Sequence, residues 1–270
     1  MKNKGLRVVL GMVFIAVMAM GCRTEFERIR LSGNPQLTLT KALEYYEGKE
    51  YQRAQTLFEL VLNQYRGRPE SEEMFFKYAY TFYYLRQYTL SAHYFQNFAA
   101  TFAYSQFKEE AEFLSAYSNY NMSPIFRLDQ APTVSAIQGF QEFANAYPAS
   151  DRVPECNKLL KEMRIKLEEK AFSNGRMYHD QKKYQAAIQT FENMLREFPE
   201  SDKAELVQYL IVESAYHYAL NSIFERRQER YNEAMDKYRE FVKRYPSSQY
   251  RPDADELNIK SREQLKSLIK

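Results

Sequence analysis

The sequence predicts an all-α chain, a superhelical solenoid of five helix pairs closed by a C-terminal capping helix. Three observations predict it. First, glycine (8) and proline (9) are scarce in 270 residues, so there is little turn punctuation for a β architecture. Second, residues 184–202 read as one amphipathic helix with a stop. Tyr184, Ala187, Ile188, Phe191, Met194, Leu195 and Phe198 share a face, Pro199 ends the helix, and Ser201-Asp202 suits the N-cap of the next. Third, the pattern recurs. Relative to Phe191 there is an aromatic seven residues before, a small residue four before, an aromatic seven after and proline eight after. Copies are anchored on Phe58, Phe95, Phe140, Phe191 and Tyr238, spaced by 37, 45, 51 and 47 residues, a period that means a solenoid.

The elements follow in order. Residues 1–21 set Lys2, Lys4 and Arg7 before an apolar run at 8–20, too short to span a bilayer and laid out as a signal peptide. The run ends Ala19-Met20-Gly21-Cys22, with small residues at −3 and −1 for a signal peptidase. This ending resembles the lipobox of bacterial lipoproteins, although Ala19 stands where leucine is usual. The resemblance implies a diacylglyceryl group and an N-acyl chain on Cys22, a covalent lipid and not a cofactor. Arg23 supplies no acidic retention signal, so the outer membrane is expected, with the protein facing the periplasm. Several acyl chains suffice for stable anchoring.

Residues 22–39 are expected to form a lipidated tether with the turn cluster Ser32-Gly33-Asn34-Pro35. The solenoid then fills 40–270. Repeat one covers about 40–66, repeat two 70–103 and repeat three 106–150, where a loop at 122–131 separates the two helices. A long helix at 153–181 follows, straight or bent near Ser173-Asn174-Gly175. Its later half opens repeat four, at 168–200. Repeat five covers 203–248, with 224–230 as a charged loop between its helices, and a polar helix at 252–270 is the cap. Small residues 16 before the anchor (Ala42, Ala79, Gly175) let paired helices approach closely; Ala215 lies seven residues early.

Composition narrows the function. The formal charge of +3 comes from the three basic residues before Cys22; the remaining chain balances 35 basic against 35 acidic residues. No basic field points to nucleic acid. Tyrosine (23) and phenylalanine (19) are abundant and tryptophan is absent. Helix 70–86 carries more aromatic surface than one buried face takes, which leaves rings to line a groove. His93, His179 and His217 are far apart and show no ligand spacing, and no nucleophile elbow or P-loop occurs, so neither a metal site nor an enzyme is expected. Cys156 reads as a half-buried structural thiol.

Ala42, Tyr45, Ala54 and Phe58 in the first copy, and Gly175, Tyr178, Ala187, Phe191 and Pro199 in the fourth, resemble the tetratricopeptide repeat. The ending Phe/Tyr-Pro-x-Ser at 147–150, 198–201 and 245–248 is similar to the outer-membrane subset of these repeats. Five repeats behind a lipoprotein signal resemble the BamD family of β-barrel assembly lipoproteins. Repeats one and two depart from the pattern in lacking the proline. The resemblance implies an outer-membrane scaffold that binds the barrel-insertase subunit through its periplasmic domains and receives unfolded outer-membrane proteins by their C-terminal strands. A concave groove lined by rings suits an extended peptide. Tyr46, Tyr83, Tyr84, Tyr117 and Tyr120 are the peptide-binding candidates, and Arg226, Arg227, Arg230 and Arg239 the candidates for docking other subunits. The alternative is a periplasmic repeat scaffold of the Tol-Pal or cell-division type, but no heptad stretch precedes Leu39.

Overall fold

The computed structural model describes residues 25–268, all of whose regular structure is helical. The expected signal peptide at 1–21, Cys22 and Arg23 lie outside the described residues. Helix α1 spans Glu25–Arg30. The repeats follow as α2 (Pro35–Glu47) with α3 (Tyr51–Val61), α4 (Ser71–Tyr84) with α5 (Tyr88–Thr101), α6 (Lys108–Met122) with α7 (Ala131–Ala146), α8 (Val153–Asp180) with α9 (Tyr184–Glu197), and α10 (Ala204–Leu220) with α11 (Phe224–Arg244). Helix α12 (Arg251–Leu268) closes the array. Two compact units divide the chain. One comprises residues up to 123 together with 131–157; the other comprises 124–130 and 158 onward. Within each unit, consecutive helices pack against each other as in a tetratricopeptide-like solenoid.

The sequence grammar marks the core. Phe58, Phe95, Phe140 and Phe191 are fully buried, as are the alanines at Ala54, Ala136 and Ala187. The small residues Ala42, Ala79 and Gly175 are buried opposite them. A further position three residues after the anchor is buried in every copy: Val61, Phe98, Phe143, Met194 and Phe241. In repeat five this position displaces the expected anchor. Tyr238 is half-buried and donates to Asp255 at 2.6 Å, whereas Phe241 is fully enclosed.

Three of the inter-helix turns share one design. Lys49, Arg86 and Lys182 adopt φ of 60°, 58° and 60°. Each turn closes with the same two backbone bonds, such as Lys49 N to Tyr46 O and Glu50 N to Tyr45 O. This is the left-handed helix ending that satisfies orphan carbonyls.

The serine of the Phe/Tyr-Pro-x-Ser ending has a defined task. Ser201 Oγ donates to Glu168 at 2.7 Å and accepts from Lys203 N at 3.1 Å. Ser150 does the same with Glu109 and Arg152 N, and Ser105 with Glu72 and Phe107 N. Ser105 belongs to a copy without proline, so this latch does not need the ring. Ser201 therefore acts one turn ahead of α10, not as its N-cap, which is Lys203. Ser201→Ala is expected to cost about 1–2 kcal/mol, because it orphans an amide and strips one donor from a largely buried carboxylate. Ser247→Ala, at an exposed serine in the turn after α11, should change stability by less than about 0.5 kcal/mol. Equal urea midpoints for the two variants would refute the latch.

The structure corrects several expectations. Residues 224–230 are helical, forming the first two turns of α11, so the connection shrinks to residues 221–223. The expected tether contains α1 and the start of α2, which begins at Pro35 because Asn34 Oδ1 accepts from Gln36 N and Leu37 N at 3.1 and 3.2 Å. Helix α8, by contrast, runs unbroken past Gly175, one of the two forms expected for it. Cys156 is fully buried, not half-buried, and burial pushes its thiol up to about 11. Ala116 is the small residue of repeat three, displaced in sequence by the 122–131 loop; a Cβ on Gly139 of α7 would lie 2.8 Å from its methyl group.

Candidate interaction surface

Helices α2, α4 and α6, the first members of three successive pairs, carry one array of tyrosines. Tyr84 is 45% exposed and is its most open ring. It stacks on Tyr51 at 4.3 Å and on Tyr80 at 5.4 Å, and tilts against Tyr46 at 6.3 Å. Tyr83 meets Tyr84 and Tyr88 edge-on, both at 5.9 Å, and its phenol also feels that of Tyr117. Tyr117 stacks on Phe113 at 5.5 Å and lies 5.6 Å from Tyr120. The five tyrosines singled out from sequence thus share one surface. Tyr51, Tyr80 and Tyr88 also belong to it. Tyr51 and Tyr88 are the leading aromatics of their repeats, and that periodic role alone marks them in the sequence.

Charged groups frame the array. Lys77 Nζ lies 5.3 Å from the Tyr46 ring centre and pairs with Glu47 at 2.8 Å and Glu73 at 3.0 Å. Tyr80 donates to Glu110, which also lies near Arg152. Burial raises the Tyr46, Tyr80 and Tyr83 phenols above their ordinary value, so at neutral pH all three are protonated donors. The surface therefore offers flat apolar faces with hydroxyl edges, which suit contact with an extended apolar–aromatic strand.

The four arginines do not form one cluster. Arg226, Arg227 and Arg230 gather at the start of α11. Arg227 Nε donates to Ser222 O at 2.9 Å, Arg230 lies over the Tyr218 ring at 4.0 Å, and Arg226 pairs with Glu229 at 2.8 Å. Arg239 follows nine residues after Arg230, about 14 Å along the helix and on its opposite side. There it pairs with exposed Asp236.

His179 and His217 sit within the packing, whereas His93 is exposed, with Nε2 2.9 Å from Asn97 Nδ2. His179 Nδ1 lies 3.0 Å from Ser214 Oγ and its Nε2 lies 3.5 Å from Glu213. Ser214 is fully buried, so this resemblance to a nucleophilic relay faces no substrate. His217 stacks on Tyr184 at 5.2 Å, and burial lowers its pKa.

Among the described residues, no helix is long and apolar enough to cross a membrane. A comparison with curated proteins finds no match. Among solved structures, the apo form of RapI matches over 83% of this chain and 74% of its own, at 17% identity and a TM-score of 0.31, too low to carry an argument. The family model described as YfiO, outer membrane lipoprotein, matches residues 33–206 and 177–267, nearly the whole described chain. The chain belongs to this family of outer-membrane lipoproteins, the BamD family.

Proposed function

We propose that this protein is a lipid-anchored scaffold of the β-barrel assembly machinery, held at the periplasmic face of the outer membrane through Cys22. Its tyrosine array receives the C-terminal strands of unfolded outer-membrane proteins. The arginines at the start of α11 dock the periplasmic domains of the insertase subunit. The role is binding and not catalysis. The observation that carries this reading is the continuity of the array over three repeats, because an extended strand needs several successive apolar contacts and not one pocket.

Photo-crosslinking in cells tests it. A photoreactive residue at Tyr84 or Tyr120 is expected to capture unfolded outer-membrane proteins, and the same residue at fully exposed Tyr104 is not. Tyr83→Ala with Tyr84→Ala should weaken binding of a peptide copying such a C-terminal strand by about tenfold or more, given the usual energy of buried aromatic contacts. Equal capture from all three positions sinks the reading. So does depletion of the protein that leaves folded barrel proteins at normal levels while cell constriction fails.

A further inference from the structure

Helices α11 and α12 pack together, and a cleft of about 340 Å³ opens between them. Its lining is Met235 and Arg239 from α11 and Asn258, Arg262, Leu265 and Lys266 from α12. The spacing explains the convergence. Met235 and Arg239 are four residues apart on one helix, and Asn258, Arg262 and Lys266 are successive fours on the other. Two stripes therefore face each other, with three cations and no acidic side chain among the lining residues. Among the described residues, the ion pair that competes, between Arg239 and Asp236, is exposed on both sides and hence weak.

A second observation is independent of the charge. Asn258 is 8% exposed, it lines the cleft, and its Oδ1 is buried with no hydrogen-bond partner. A buried acceptor normally finds a donor. The cations select an anion, and this acceptor favours an anion that also carries a hydrogen-bond donor. An ionised carboxylate group has no donor to give. A phosphate has, either as its own P–OH when monoprotonated or on an alcohol esterified to it.

We propose that the α11–α12 cleft is a phosphate-binding site. Arg239, Arg262 and Lys266 take the phosphate oxygens, Asn258 Oδ1 accepts from a hydroxyl of the same ligand, and Met235 and Leu265 give its carbon portion an apolar wall. Inorganic phosphate and a glycerol-type lipid headgroup share this chemistry. The site is separate from the tyrosine array and from the arginines at the start of α11.

The test is calorimetry on the full chain in non-ionic detergent, at constant ionic strength. One arm titrates inorganic phosphate, the other a short-chain phosphatidylglycerol below its micelle concentration. Saturable binding in either arm is expected. Lipid binding tenfold tighter than phosphate assigns the headgroup, and equal affinities assign the free anion. Arg262→Ala with Lys266→Ala changes only exposed side chains and should weaken binding by about tenfold or more. Asn258→Leu replaces an unpaired polar group with an apolar one of similar shape, so it should raise the melting temperature while weakening the binding. No saturable heat in either arm, or unchanged affinity in the double variant, overturns the proposal.

Discussion

Phe191→Ala is expected to lower the stability of the second unit by about 4 kcal/mol, within the range for emptying a fully buried phenylalanine site. The ring fills the space against α8 that glycine leaves open. A Cβ on Gly175 would lie 2.3 Å from Phe191 Cε1 and 2.4 Å from its Cδ1. Phe172 and Tyr178 of α8 pack against the same cluster. Two terms oppose each other in Gly175→Ala. Helix propensity favours alanine by about 1 kcal/mol. Forcing a methyl group into an enclosed ring costs about 1–3 kcal/mol, and here the ring has no exposed side toward which to move. A net loss is expected. Combining Gly175→Ala with Phe191→Leu should cost less than the sum of the two singles, because the methyl group then occupies space the ring has vacated. Urea denaturation of the three variants decides it. A Gly175→Ala protein as stable as the parent would show that the ring and the glycine are not matched.

Alkali is expected to unfold the first unit cooperatively. Burial raises the phenols of Tyr46, Tyr78, Tyr80 and Tyr83, and that of Tyr147 goes up to about 12. The unfolded chain ionises its tyrosines near about pH 10. A folded pKa above the unfolded value means that the unfolded state sheds protons first. The associated stability is therefore whole below about pH 10 and is lost as pH rises from there through the raised values. Phenolate absorbance and helical circular dichroism should change together in one step. Phenolate appearing at the ordinary tyrosine pKa, with the helices intact, would mean that these rings are not enclosed.

The repeat was legible because burial of one helical face imposes a period, and a period survives without any knowledge of neighbours. The anchors Phe58, Phe95, Phe140 and Phe191, the small residues Ala42, Ala79 and Gly175, and Pro199 followed from it, whereas in repeat five Phe241 and not Tyr238 is the enclosed ring. The position three after the anchor stands out less, because phenylalanine holds it in only three copies (Phe98, Phe143, Phe241) while Val61 and Met194 share with them apolarity alone. The first turns of α11 read as a loop in the sequence for the opposite reason. Phe224, Glu225, Arg226 and Glu229 are all exposed, so no apolar stripe marks the helix. It is held instead by local pairs such as Arg226 with Glu229 and by Arg227 on the Ser222 carbonyl. The tyrosine array was legible as a surplus of rings, but its members could be told apart only by exposure. The cation cleft was not legible, because its two stripes come from helices that meet only after folding.

The left-handed residue at three inter-helix turns is lysine or arginine, never glycine, and the closing bonds all run between backbone atoms. Nothing about such a junction depends on which side chains flank it. A helix pair ending this way can be copied, spliced or exchanged as a cassette without inventing a new connection. The two pairs without this junction are those that carry extra chain, the 122–131 loop in one and the extended start of α11 in the other. Regular junctions and added chain thus fall in different pairs of one architecture.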